Sequence, residues 1–427
     1  MTLTYRKTIL PDGLRIVSES DPTVRSISIG LWVDIGSRDE PSGYEGISHF
    51  VEHMAFKGTT TRSPYDIVSY IESVGGVLNA FTTRENTCFV ARVMDTHLAR
   101  AVEILADIVH NSRFDKSDIA KEKQVVLDEI NEIKDTPADL VHDLFAETIF
   151  DGHPLGKPIL GTFRTVRSFT QTKILDFLQS NYERGRMLVA ASGNLDHLQL
   201  VDLVSRHFRT IPDSNRRRSM LARRVRRVKP RLKPGLSSFY RKTAQTHVCI
   251  GGPAMTFDHP QRAALLVLNS ILGGSMSSRL FQRIREDLGL AYTIFSYADF
   301  FEDAGVMGIY FSTEKQNANK ALTAVFGEIR RLTVEDVPSD ELEMAKEQLR
   351  GSLILGLENT SHRMNRLAKH ELLLGEYLTI EQSVAELQQV NSAQVRSLAA
   401  RLLRKGKFSV VSLGPVTRRK LESAVTW

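Results

Sequence analysis

The sequence predicts an α+β protein built of two duplicated α/β-roll domains, each a mostly antiparallel sheet packed by helices, joined by a basic linker. Three observations carry this expectation. Alternating strand-like runs open both halves of the chain, amphipathic helical runs follow them in the same order, and a cation-rich, proline-punctuated segment lies between. The length of 427 residues, 42% hydrophobic and 25% charged, suffices for two or more domains with their own cores.

In the first half, "SISIGLWVDIGS" (26–37) has the period-2 pattern of a strand, and "GISHFVEHMAFKG" (46–58) reads as a helix ending at glycine. A second short helix and strands follow in "YDIVSYIESVGGVLNAFTTRENTCFVARV" (65–93). Long helical patterns then occupy "ARAVEILADIVHNS" (99–112) and "DIAKEKQVVLDEINEI" (118–133). The second half repeats the series: "THVCIGGPAMTF" (246–257), "RAALLVLNSILGG" (262–274), "RLFQRIREDLGLAYTIFSYADFFEDAGVMGIYFS" (279–312), "NKALTAVFGEIRRL" (319–332) and "ELEMAKEQLRGSLILGL" (341–357). An internal duplication explains the order economically. The expected division is an N-terminal domain over 1–212, a linker over 213–236 and a C-terminal domain over 237–427.

The positive charge is concentrated between the halves. Residues 216–233 carry ten Lys/Arg and no acid, so the rest of the chain has a net charge of −4 against +6 for the whole. Such a segment reads either as an anion-binding patch for nucleic acid, an acidic membrane or an acidic substrate, or as a solvated, self-repelling linker. No aromatic residues interleave with its arginines and no nucleic-acid module occurs elsewhere, which favours the linker and no nucleic-acid partner. Cys88 and Cys249 lie far apart and form no CxxC pattern, so a reducing compartment is the default. The N-terminus lacks a secretory or transit pattern and no run reaches the ~18 apolar residues of a membrane span. A cytoplasmic protein without a transmembrane segment is the expectation.

The chemistry concentrates in "HFVEHMAFKGT" (49–59). At about 100° per residue, His49, Glu52 and His53 share one helix face while Ile47, Phe50, Val51 and Met54 gather on the opposite side. Two neutral imidazoles one turn apart can grip one Zn²⁺, with the glutamate between them free to handle a water proton. The order H-x-x-E-H is the inverzincin pattern. The bland reading is a surface helix with two solvated histidines. When Gly58 is aligned with Gly273, Ala264, Val267 and Leu268 take the places of the three polar residues, so the fold needs the helix but not the histidines.

A second helical run adds carboxylates. In and just beyond 118–133, Lys123, Gln124, Asp128, Asn131 and Lys134 form a polar face, whereas Glu122 and Glu129 sit on the other side with Ile119, Val125, Val126 and Ile133. Carboxylates on a buried face need a cation or strong donors. A zinc ion on His49 and His53 would supply one; a salt bridge to Arg or Lys is the alternative. Ala345 and Ser352 stand at the equivalent second-half positions, so glutamates and histidines vanish together there.

The chain resembles the inverzincin zinc peptidases of the pitrilysin and mitochondrial processing peptidase family, in its small two-domain class. The resemblance rests on "GISHFVEHMAFKGT" (46–59), "LNAFTTRENTCF" (78–89), "EKQVVLDEI" (122–130), "HPLGKPILGT" (153–162) and "SSRLFQRIREDLGLAYTIFSY" (277–297), which span both halves. It implies a zinc metalloendopeptidase acting on extended or unfolded peptides, with one Zn²⁺ per chain. The third ligand would be Glu129, 76 residues beyond His53. Glu122 would orient a histidine ligand, and Glu52 would be the general base. Arg285 and Tyr292 match the family's pair, seven residues apart, that holds the substrate backbone and the oxyanion. Without the resemblance they read as a helix surface charge and a half-buried strand tyrosine.

Asn79 and Ala80 correspond to the edge-strand positions where a peptide adds as an extra strand; otherwise Asn79 is a turn residue after Gly75 and Gly76. His153 fits the family motif but sits in a Gly/Pro loop and is given no ligand role. The resemblance further implies a homodimer closing into a chamber, the Arg/Tyr pair of one chain serving the zinc of the other. A zinc-deficient homologous partner is the other arrangement. The rival function is a non-catalytic or partner-dependent processing-peptidase subunit.

Overall fold

The computed structural model describes residues 4–209, 227–404 and 406–425. Most of the basic segment, 216–226, therefore lies outside the described residues. The chain forms two compact units. The first takes the described residues of Met1–Asn131, Lys157–Arg227 and Gly356–Tyr377, and the second those of Glu132–Gly156, Val228–Leu355 and Leu378–Trp427.

The first unit holds six strands: β1 (Thr4–Ile9), β2 (Arg15–Ser20), β3 (Ser26–Val33), β4 (Val77–Thr82), β5 (Thr87–Met94) and β6 (Met187–Gly193), in the order β1-β2-β6-β3-β5-β4. All neighbours are antiparallel except β2 and β6. The second unit holds β7 (Gly235–Tyr240), β8 (Thr246–Ala254), β9 (Thr293–Phe300), β10 (Gly305–Thr313) and β11 (Ser409–Gly414), in the order β7-β11-β8-β10-β9. There β7 and β11 form the parallel pair and the other neighbours are antiparallel. Without β1, the first order becomes the second, with its parallel pair at the same end. The duplication expected from the sequence is thus present in the topology.

The helices that matter for the site are α1 (Ile47–Met54), α2 (Pro64–Glu72), α3 (Leu98–His110) and α4 (Lys116–Asp135), followed by α5 (Pro137–Phe150). On one face of the first sheet, Ile27, Ile29, Leu31 and Val33 join Ile47, Phe50, Val51 and Met54 of α1 and Leu98, Val102 and Leu105 of α3 in one core. The opposite face carries Val17, Trp32, Cys88, Leu188 and Ala190 beneath Met364, Leu367 and Ala368 of the helix Thr360–Leu373. Covering both faces explains why β3 is buried along nearly its whole length although its sequence alternates. Each such large apolar side chain contributes about 1.5–3 kcal/mol on burial.

Two helices depart from the contiguous division drawn from sequence. Residues 356–377 of the second half belong to the first unit, and α5 of the first half belongs to the second. Their apolar stripes decide this: Val141, Phe145 and Ile149 of α5 pack with Cys249, Val306, Tyr310, Val411 and Leu413. Beneath the helix Thr360–Leu373 the contacts are partly ionic, with Arg363 on Glu19 at 2.8 Å and Lys7 on Glu371 at 2.7 Å.

The second short helix also differs between the halves. The counterpart of α2 is π-wound over Phe281–Asp287, where Leu288 N–H donates to Arg283 O at 3.3 Å. Such bulges recur at functional sites. No helix among the described residues is long and apolar enough to cross a membrane.

Candidate metal centre

The placement of α1 begins with backbone geometry. Gly46 precedes the helix at φ +92° and faces Gly161 at φ +75°. A side chain on Gly46 would run into Leu160 O, and one on Gly161 into Glu45 O. The buried Glu40 carboxylate then accepts hydrogen bonds from Gly46 N–H at 2.7 Å and Ser48 N–H at 2.8 Å. Two donors of the first turn are thereby satisfied and the N-terminus is fixed. Burial pushes this carboxyl up to about 8, against the pull of those hydrogen bonds.

On the side of α1 turned away from the core, the rings of His49 and His53 lie 4.4 Å apart. Nε2 of His49 is 3.8 Å from Glu129 Oε2, and Nε2 of His53 is 3.6 Å from Glu129 Oε1. Donor atoms of His49, His53 and Glu129 lie within 4.8 Å of one another, forming a group able to hold a metal ion. These separations exceed hydrogen-bond lengths. They approach the spacing of about 3.3–3.4 Å between donors that each sit about 2.0–2.1 Å from one tetrahedral zinc. Two nitrogens and one carboxylate oxygen also form a donor set that zinc favours.

The protonation states suit that use. Burial, followed by the charge of His53, lowers His49 to about 4, so its imidazole is neutral at physiological pH. Burial alone would lower His53 too, but the hydrogen bond to Glu122 and the charges of Glu129, Glu122 and Glu52 outweigh it and raise the pKa. His53 Nδ1 lies 2.8 Å from Glu122 Oε1. Glu122 is held below the ordinary carboxylate range because its bonds to His53 and Lys57 overcome its burial. An ionised carboxylate can only accept, so Nδ1 carries a proton and Nε2 is the nitrogen left for a metal to displace a proton from or bind directly. Lys57 Nζ completes this outer layer, 2.7 Å from Glu122 Oε2.

Glu52 lies beside the group and is 9% exposed. Thr82 Oγ1 donates to its Oε2 at 2.5 Å. Burial raises the Glu52 carboxyl, opposed by Thr82 and His53 and reinforced by Glu129.

The structure brings five sequence-derived candidates, His49, Glu52, His53, Glu122 and Glu129, into one cluster of the first unit. One expectation for α4 needs correction. Its buried face is Ile119, Glu122, Val126, Leu127 and Ile130, while Val125 is exposed and Glu129 sits at the rim. Asn79 and Ala80 lie on the edge strand β4, where the Asn79 side-chain oxygen accepts from Ala80 N–H at 2.8 Å.

Arg285 and Tyr292 belong to the second unit and lie together there. The guanidinium carbon is 4.8 Å from the Tyr292 ring centre and 4.7 Å from that of Phe281. Tyr292 is 74% exposed rather than half-buried, because it precedes β9 instead of lying within it. Sequence reasoning missed Glu40, Lys57 and Thr82. Only Thr82 left a trace, falling in the inward alternation of Leu78 and Ala80.

Residues 15–163 match the family described as Insulinase (Peptidase family M16), and residues 168–349 match the Peptidase M16 inactive domain. An uncharacterized zinc protease of Streptomyces coelicolor is 40% identical over 97% of this chain and 90% of its own length. The uncharacterized zinc protease YmxG of Bacillus subtilis is 39% identical over 92% of this chain and 94% of its own. Among solved structures, a protease from Helicobacter pylori superposes with a TM-score of 0.90 at 20% identity, covering 97% of this chain and all of that one. A peptidase M16 inactive domain from Pseudomonas fluorescens gives 0.89 at 18% identity, covering 97% and 99%. At these identities the two structures speak for the fold.

Proposed function

The chain belongs to the M16 peptidase family, and from that premise we propose that it is a zinc metalloendopeptidase hydrolysing extended or unfolded peptides in a chamber formed by two chains. The observation that carries this reading is the convergence of His49, His53 and Glu129 on one point with Glu52 beside it. In the proposal these three residues hold the zinc and Glu122 fixes the His53 ring. Zinc bound there would supply Lewis acidity, lowering the pKa of a water toward ~7 and polarising the scissile carbonyl.

Glu52 then takes the proton from the attacking water and delivers it to the leaving nitrogen as the C–O bond forms and the C–N bond breaks. The raised Glu52 carboxyl suits that shuttle, since an acid nearer neutrality both accepts and returns a proton readily. Asn79 and Ala80 offer the β4 edge to an extended peptide backbone. Arg285 and Tyr292 hold the substrate backbone and the oxyanion, and the exposed Tyr292 ring is available for that contact. The pair of one chain serves the centre of its partner, either a second copy or a zinc-deficient homologue. A reducing, cytoplasmic location suits Cys88 and Cys249, both buried free thiols.

Digestion of an unbiased peptide library by the purified protein tests the reading. Internal cleavage should be abolished by a zinc chelator and restored by Zn²⁺; cleavage indifferent to chelation would contradict it. Mixed dimers of Glu52→Gln and Tyr292→Phe chains should recover part of the activity that each variant alone lacks. No recovery in verified mixed dimers would place the pair in the same chain as the centre it serves.

Glu122→Gln should weaken zinc binding by about 10–100-fold, as loss of an outer partner does. Competition with a chelator of known affinity measures this.

A further inference from the structure

We propose that Thr82 is a positioning residue for Glu52, its hydroxyl fixing one carboxylate oxygen so that the proton shuttle depends on the edge strand β4. The inference rests on the reading of Glu52 as proton acceptor. Its observation is a contact between two elements: Thr82 is the last residue of β4, and Glu52 lies on α1. Thr82 lies on the same side of β4 as Leu78 and Ala80, which pack against the core that includes α1.

The direction of the hydrogen bond follows from proton counting. A carboxylate has no proton to give, so Thr82 Oγ1 donates its single one to Glu52 Oε2 at 2.5 Å. Thr87, directly opposite in the β4–β5 register, is the competing acceptor at 3.5 Å. The shorter bond to a charged acceptor prevails. Thr87 spends its own proton on Ile35 O at 3.0 Å, which ties it to the segment after β3.

The end of β4 that carries Thr82 is anchored. Ser37 and Arg38 donate backbone hydrogen bonds to Thr83 O at 3.2 Å and Arg84 O at 2.8 Å. Arg38, 2% exposed, pairs with Glu85 at 2.6 Å. Arg227 bonds to Glu85 O at 3.0 Å and to Asp39 at 2.8 and 2.9 Å. Toward its other end, β4 exposes Val77 and Asn79 at the sheet edge. Thr82 therefore joins a fixed hairpin tip to the one carboxylate that must keep its aim, and leaves the second oxygen of Glu52 for the water.

The test compares Thr82→Val, which keeps the shape without the hydroxyl, with Thr82→Ser, which keeps the hydroxyl, in the full-length zinc-loaded protein. Thr82→Ala is a second hydroxyl-free variant should valine not fold. The hydroxyl-free forms should lose about 10–100-fold in kcat, the loss expected for a hydrogen bond to a charged group. KM and zinc content should stay within about twofold. Serine should restore kcat to within about threefold. Crystals of the valine form should show the Glu52 side chain spread over more than one rotamer, against one in the parent.

The inference is overturned if the hydroxyl-free forms keep parental kcat while Glu52→Gln is inactive, or if serine fails to restore the loss. Parental turnover by Glu52→Gln would instead remove the reading of Glu52, and this inference with it.

Discussion

Glu52→Gln should lower turnover by roughly 10²–10⁴-fold while one zinc per chain is retained. The amide matches the carboxylate in size and still accepts the Thr82 hydrogen bond, but it cannot take a proton from water. His49, His53 and Glu129 are untouched, so the metal should stay. Elemental analysis beside a peptide-cleavage assay reads both quantities, and parental turnover in the variant would show that Glu52 is not the base. The same substitution has a stability consequence of definite sign. The folded Glu52 carboxyl lies above its ordinary value, chiefly through burial. The stability it contributes is therefore complete below that value and lost as pH rises through the folded pKa. Glutamine titrates nowhere in this range. The metal-free variant should melt no lower than the metal-free parent at neutral pH and above, a gain in stability set against a loss of function.

Glu129→Gln should have the second largest effect, on metal retention. The carboxylate bridges the gap between two imidazole nitrogens and supplies the only negative charge among the three proposed donors. A neutral amide oxygen is a poorer zinc ligand, and without that charge His53 also loses part of its basicity. Zinc affinity should fall by more than the about 10–100-fold expected for loss of an outer partner such as Glu122. After dialysis against a mild chelator the parent should keep its zinc and the variant should not. Equal metal contents would remove Glu129 from the ligand set.

The parts of the protein legible in the sequence were those governed by local periodicity. The 3.6-residue period placed Ile47, Phe50, Val51 and Met54 in the core and turned His49, Glu52 and His53 away from it. The repeated series of patterns foretold two sheets of related topology. What local pattern does not encode is which surface an apolar stripe will cover. Nothing in the apolar stripes of α5 and of Thr360–Leu373 names the sheet each packs on.

Helix phase was legible only to within a residue or so. Val125 was expected inside and Leu127 and Ile130 were not, because at about 100° per residue a small rotation of α4 exchanges neighbours at the edge of its buried face. Glu40, Lys57 and Thr82 are ordinary residue types whose roles arise from contacts across 6 to 65 positions of chain, with no spacing rule to announce them. The metal-binding group was legible for the opposite reason. Two histidines one turn apart reveal a shared target within a single helix, whereas the partner of a threonine hydroxyl emerges only when two elements meet.

The central claim is a single zinc centre built from first-half residues, and anomalous diffraction at the zinc absorption edge from crystals of metal-loaded protein tests it most directly. The account predicts one peak per chain, within about 2.0–2.2 Å of Nε2 of His49, Nε2 of His53 and a carboxylate oxygen of Glu129, and none in the second unit. Zinc bound elsewhere, with His49 and His53 left to solvent, would contradict it.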